Sequence, residues 1–171
     1  MEASKEAIEL TGYYPGVSGK IIQLHATYYH VHWGLDITFE TQVARELSDF
    51  LARFDPAQDG FWVARRNHRF AGSVSIDAEQ SGREGVRLRW FIVDPEFQNF
   101  GVGATLIDRA IEFCRRAHHR KIFLWTFQGL DAARRLYERR GFRLIAEHSV
   151  NQWGTWVNEQ KFELDLDKNI R

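Results

Sequence analysis

The chain has 171 residues, about the size of one domain, and its 44% hydrophobic content suffices for a core without disulfide or metal staples. Its 23 Lys and Arg residues balance its 23 Asp and Glu residues, which removes any global electrostatic case for nucleic acid or an anionic membrane as partner. The one cysteine, Cys114, excludes an internal disulfide and a cysteine-based zinc site.

Residues 1–7 read as a short tail, and 8–168 as a single domain. Met1 to Glu9 is polar and mixed in charge, without the apolar run of a signal peptide. No segment approaches the roughly 18 apolar residues of a spanning helix. The expected location is the cytoplasm, by elimination.

Ile8 to Tyr14 reads as an edge strand closed by a turn at Pro15-Gly16. With Ser18 as N-cap, Lys20 to His32 is expected to be a helix burying Ile21, Leu24, Tyr28 and Val31, and Gly34 ends it. Thr38 is expected to cap a second helix with Phe39, Val43, Leu47, Phe50 and Phe54 on one face. Three strands follow as an antiparallel meander: Phe61 to Arg65, Phe70 to Ala78, and Val86 to Val93. In the third, Val86, Leu88, Trp90 and Ile92 are expected to point one way and Arg87, Arg89, Phe91 and Val93 the other.

Asp94-Pro95 stops that strand, because proline has no ladder donor. A helix from about Gly101 to Ala117, which would bury Cys114, and a strand from Lys121 to Thr126 imply a parallel pair with a crossover. A fourth helix starts at Asp131 and ends at Gly141. Strands at Phe142 to His148 and Trp156 to Leu166 complete a mixed α+β sheet, largely antiparallel, with helices on both faces.

The chemistry concentrates in Gln98-Asn99-Phe100-Gly101-Val102-Gly103. A strand delivers the chain to a turn, glycines allow close backbone approach, and a helix begins whose first amides lack intrahelical partners. Such a turn suits phosphate or pyrophosphate. A dinucleotide-binding turn fits poorly, since Leu106 stands where its third glycine would fall and Leu124-Trp125-Thr126 offers no ribose-binding acid. No Gly-Lys-Ser/Thr follows, so a P-loop fails too.

The segment Gln98 to Gly103 resembles the Q/R-x-x-G-x-G/A signature of the GNAT superfamily of N-acyltransferases. Ala133-Arg134-Arg135-Leu136-Tyr137-Glu138-Arg139-Arg140-Gly141-Phe142 resembles that family's A-x-x-L-Y-E-x-x-G-F segment. The stretch from His30 to Gly34 and Leu124-Trp125-Thr126 are most similar to the acyltransferase half of bacterial MarR-type regulators fused to a GNAT domain.

The resemblance implies the GNAT fold, with its parallel pair at the acyl-CoA cleft, and an acyl-CoA-dependent N-acyltransferase. An amine would attack acetyl-CoA directly in a ternary complex. Acetyl-CoA would be a co-substrate, with no prosthetic group and no metal. Backbone amides of Gln98, Asn99, Phe100, Gly101, Val102, Gly103 and Ala104 would bind the pyrophosphate. Main-chain groups of Ile92 and Val93 would pair with the pantetheine arm. Tyr137 falls on the position whose phenol protonates the leaving thiolate. Leu130 departs from the pattern, since many members carry an asparagine there, and Gln128 is the nearest amide.

Expected partners are acetyl-CoA and an amine, with no membrane or nucleic acid; a homodimer is allowed. Asp77 and Glu79 stand as candidate bases. Tyr29, His30 and Trp33, together with Trp125, Trp153 and Trp156, are candidates for the acceptor side. Arg134, Arg135, Arg139 and Arg140 form a basic helix face, either solvated or directed at the CoA 3′-phosphate. The rival readings are an acyl-CoA sensor and a subunit of a regulator.

Overall fold

The structure, a computed structural model, describes residues 7–167; nearly all of the expected tail and the last residue of the expected domain lie outside that range. In chain order the elements are β1 (Glu9–Thr11), α1 (Val17–Trp33), α2 (Ile37–Ala52), β2 (Gly60–Arg66), β3 (Arg69–Asp77), β4 (Val86–Val93), α3 (Val102–Arg116), β5 (Lys121–Phe127), α4 (Asp131–Arg139), β6 (Arg143–Gln152) and β7 (Thr155–Asp165). The strands form one seven-stranded sheet in the order β1-β2-β3-β4-β5-β7-β6. All neighbours are antiparallel except β4 and β5. This is the mixed α+β architecture expected.

Each face of the sheet carries a core. On one, Leu106, Ile107, Ala110 and Cys114 of α3 pack on Ile76, Val86, Leu88, Ile122, Leu124 and Phe162. On the other, Val17 and Ile21 of α1 and Phe39, Val43, Leu47 and Phe50 of α2 pack on Phe61, Val63, Trp90, Phe127 and Val157. The predicted stripe of α2 is therefore the buried one. That of α1 is displaced: Val17, Ile21 and His25 are buried, while Val31 is 75% exposed. The caps also shift by two residues. Gly16, in the left-handed region, precedes α1 instead of Ser18. The Asp36 carboxylate caps α2 instead of Thr38 by accepting the Thr38 N–H at 2.9 Å.

The alternation of β4 breaks in its middle. Trp90 has φ 47, and the register with β3 slips between Ser73 and Ser75. The extra residue is a β-bulge, and it exchanges the two faces of the strand beyond it. Val86 and Leu88 join the α3 core, but Trp90 packs on the α1–α2 side against Phe50 at 5.3 Å, while Phe91 and Val93 turn toward α3. Ser73 Oγ donates 2.8 Å to the Trp90 carbonyl, which the irregular ladder would otherwise leave bare.

Beyond Val86↔Ile122 and Arg87↔Phe123, β4 and β5 have no further paired residues, and the sheet opens between them. Gly72 sits on the closed side of this opening, paired with Val93. A Cβ there would stand 2.5 Å from the Ile92 carbonyl oxygen and 3.3 Å from Leu106 Cδ1. The first clash is with backbone, so no rotamer relieves it. Gly72→Ala is expected to lower stability in urea by about 1–3 kcal/mol. Gly19, inside α1 with nothing within 4 Å, serves as the comparison, and its alanine variant should gain up to about 1 kcal/mol. Equal midpoints for the two variants would contradict this packing.

Candidate active site

The opening between β4 and β5 is a cleft of about 780 Å³. One wall is β4 from Arg87 to Val93, the other is β5 from Leu124 to Phe127, and α1, α2, α4 and the turn after β4 close the ends. The Val86–Val93 strand runs into a 3-10 turn at Pro95–Phe97, whose first amides are held by Asp94, and Gly101 then takes φ 84 to start α3. No side chain caps α3. The amides of its first turn therefore stand as unoccupied donors at the positive end of a 15-residue helix.

Gln98, Asn99, Gly101, Val102, Gly103 and Ala104 line the cleft, as do Ile92 and Val93. Phe100 is not among the lining residues. Its ring is 52% exposed and lies under the Arg66 guanidinium, 3.8 Å from the centroid. Any contribution from Phe100 is limited to its backbone.

Tyr137 reaches the same cleft from α4 and is 4% exposed, enclosed by Phe91, Phe142 and Phe162 at 5.7–6.0 Å between ring centroids. Burial, with a smaller contribution from Tyr29, raises its pKa far above that of a free phenol, so the ring keeps its proton. Tyr29, also raised chiefly by burial, faces the cleft from α1. Leu130 lines the cleft where an amide was sought, and the Gln128 side chain turns aside to accept from Asn158 at 2.7 Å.

The candidate bases from the sequence are engaged elsewhere. Asp77 is buried, bridged to Arg53 and Arg89 at 2.9 and 3.0 Å, and accepts the Glu79 N–H. Burial pushes its carboxyl up, but those partners outweigh it and hold the pKa below the usual range. Glu79 is exposed and pairs with Arg53 at 3.1 Å. The carboxylates that do line the α1–α2 end of the cleft are Glu46 and Glu159, the first paired with Arg89 and the second 3.3 Å from His148 Nε2. Glu159 was not legible as a site residue, because alternation along β7 says only that it shares a face with Val157.

Of the aromatic candidates, Tyr29, Trp125 and Trp153 line the cleft. His30 is occupied with the Leu35 carbonyl, Trp33 packs on Phe127, and Trp156 is 69% exposed. In the basic face of α4, Arg134 pairs with Glu138 and Arg140 with Asp108, while Arg135 and Arg139 line the cleft. Cys114 is buried under α3, and burial pushes its thiol up to about 12, which leaves it inert as a nucleophile.

His25 was missed as a cleft residue. Its Nδ1 lies 2.8 Å from the Ile21 carbonyl, an obligatory acceptor, so Nδ1 carries the hydrogen and Nε2 is left as an acceptor. Burial lowers its pKa from 6.5 to about 4, against a smaller upward pull from that hydrogen bond. The unfolded chain therefore takes up a proton that the folded one refuses. This group leaves stability unchanged above pH 6.5 and lowers it as pH falls toward 4, by about 3 kcal/mol in all. Thermal midpoints should fall across that window, and His25→Gln, which keeps a donor but does not titrate, should flatten the fall. Parallel curves for the two proteins would refute this assignment.

Among the described residues, no group of three or more His, Cys, Asp or Glu side chains is gathered to hold a metal ion, and no helix is long and apolar enough to cross a membrane.

Comparison with known proteins bears on the same segment. The family model described as the acetyltransferase (GNAT) family matches residues 21–142. An uncharacterized N-acetyltransferase of Methanocaldococcus jannaschii is 33% identical over 89 residues, which cover 50% of this chain and 39% of that protein. The chain thus spans well under half the length of that relative. Among solved structures, yncA from Salmonella typhimurium, determined with its cofactor acetyl-CoA, superposes with TM-score 0.74 at 19% identity, covering 96% of this chain and 97% of its own. Spermidine N-acetyltransferase from Vibrio cholerae, in complex with CoA and spermine, gives TM-score 0.71 at 19% identity, with 96% and 98% covered. At that identity these two likenesses speak for the fold alone.

Proposed function

Because the chain belongs to the GNAT family of acetyltransferases, we propose that it transfers the acetyl group of acetyl-CoA to an amine by direct attack within a ternary complex in the cytoplasm. The observation that carries this reading is the convergence on one cleft of three features. They are the uncapped start of α3, the open edge of β4 at Ile92 and Val93, and the buried phenol of Tyr137.

The donor's pyrophosphate sits against the amides of Val102, Gly103 and Ala104, where helix polarity and free N–H groups favour an anion. Arg135 and Arg139, at the mouth, suit the remaining phosphate. The pantetheine arm adds to the β4 edge as a strand would. The amine approaches from the α1–α2 end and attacks the thioester carbonyl, and its proton passes to Glu159, directly or through water. Tyr137 then gives its proton to the departing sulfur. Its raised pKa does not prevent this, because the same dry surroundings make a thiolate more basic, as they do for the buried Cys114 thiol. The chain's likeness around His30 to Gly34 to the acyltransferase halves of MarR-type regulators is part of this proposal.

The test is thiol release from acetyl-CoA over a broad amine panel, with calorimetric binding of acetyl-CoA. Intersecting initial-velocity lines are expected, whereas parallel lines would indicate a covalent acyl-enzyme and refute direct transfer. Binding without release from any amine would instead favour an acyl-CoA sensor.

A further inference from the structure

The acceptor end of the cleft contains an arginine without a partner. Arg87 and Arg89 lie on the same face of β4, before the bulge, and both line the cleft. Arg89 is satisfied: Nη1 donates to Asp77 at 3.0 Å and Nη2 to Glu46. The Arg87 side chain makes no hydrogen bond or ion pair with any described residue, and its Nε is buried without a partner. The neighbouring carboxylates do not supply one. Asp77 is held by Arg53 and Arg89, Glu46 by Arg89, and Glu159 faces His148. Burial, then the Arg89 charge, lowers the Arg87 pKa, while Glu46, Asp77 and Glu159 pull it back. A guanidinium with five donors and a buried face is costly unless an anion completes it.

Charge at this end balances. Arg87 and Arg89 are opposed by Glu46 and Glu159, and the buried His25 is neutral at pH 7. With Arg89 and Glu46 neutralising each other, Arg87 on β4 and Glu159 on β7 remain as a cation and an anion lining the same cleft. A polyamine would bring several positive charges to a place with one carboxylate free of arginine, Glu159, and one unpaired guanidinium, Arg87. A zwitterion matches both.

We propose that the acceptor is an amino-acid-type amine whose carboxylate is bound by Arg87, with its amino group directed to Glu159. This rests on the acyltransferase reading above and names its acceptor class. The planar fork of Arg87 would take the carboxylate through two N–H donors. Trp125, Trp153 and Phe127, which line the same end, would face an apolar or aromatic side chain.

The experiment compares amino acids, beginning with L-phenylalanine, L-leucine and L-methionine, with their own amides and with spermidine. An amide keeps the amine and side chain and removes only the anion. The expected kcat/KM for the preferred acid exceeds that of its amide by about 10- to 100-fold, the effect of one charged hydrogen-bonded contact. In Arg87→Ala the acid should fall to the level of the amide, and Arg87→Lys should retain part of the preference, since an ammonium lacks the fork. Amides or spermidine matching the acids in the wild-type protein would overturn the inference while leaving acetyl transfer intact, and that comparison needs no variant to fold. Calorimetric titration of the same acids into CoA-loaded protein separates the two readings. Arg87-dependent binding without turnover would uphold the site and sink the transferase reading. No binding of any acid would overturn the site.

Discussion

Replacing Tyr137 with phenylalanine is expected to lower kcat for acetyl transfer by about 100-fold or more, at the scale of general acid catalysis, while changing the Kd for acetyl-CoA by no more than about twofold. The asymmetry follows from the surroundings of the ring. Phe91, Phe142 and Phe162 hold it on its carbon faces, and phenylalanine fills the same space. No described side chain or backbone group hydrogen-bonds the hydroxyl, so its removal leaves no orphan behind in the protein. What disappears, on the mechanism proposed above, is a proton positioned in a dry cleft for a sulfur that must leave. The check is steady-state kinetics beside calorimetry on both proteins. Unchanged turnover would remove Tyr137 from the chemistry and return it to the core.

Gly103→Val should act in the opposite sense, on binding before turnover. A Cβ at this position meets Leu136 Cδ1 at 2.9 Å, Phe91 Cζ at 3.3 Å and Val93 Cγ2 at 3.5 Å. The leucine can rotate away from one added carbon, so alanine is tolerable. Valine adds two more in the seam between the first turn of α3 and the strand that carries Ile92 and Val93. The start of α3 must then lift, and the amides of Val102 to Ala104 lift with it. Overpacking of this kind costs about 1–3 kcal/mol. Spent on the bound geometry, that weakens acetyl-CoA by about 5- to 150-fold. Titration calorimetry would measure it. Gly101→Ala is the contrast: nothing lies within 4 Å of that position, and its cost is the left-handed backbone alone. Wild-type affinity in the valine variant would contradict the cradle.

The residues proposed for the donor half could be picked out in the sequence because their determinants are local. Glycines at 101 and 103, a proline at 95 and a tyrosine one turn before Gly141 act through backbone conformation and short spacing, which a single chain displays directly. The fold class was legible for the same reason, through the periods of α2, α3 and the meander. The acceptor half was not. Whether Arg87 or Arg89 has a partner depends on Glu46, 41 and 43 residues away, and on Asp77 across the ladder. Asp77 looked like a free carboxylate until Arg53 and Arg89 closed on it. The bulge at Trp90 left no mark either, since tryptophan is at home in any strand and the inserted residue shows only through its slipped partner on β3. The caps of α1 and α2 were misjudged by two residues for a simpler reason. Gly16 and Ser18, or Asp36 and Thr38, are each competent to start a helix, and only packing decides between them.

The seam between β4 and β5 has a consequence for the protein's lifetime. Two residue pairs join a block of four strands to a block of three, so the sheet is thinnest where the donor would lie. A molecule bound in the seam would take the place of a missing strand, and whatever binds only the folded form adds its binding energy to folding. At about 100 times its Kd that is about 2.7 kcal/mol. Acetyl-CoA bound in the seam would then raise the protein's thermal midpoint and its resistance to limited proteolysis, and a ligand-free protein as resistant as the loaded one would contradict this.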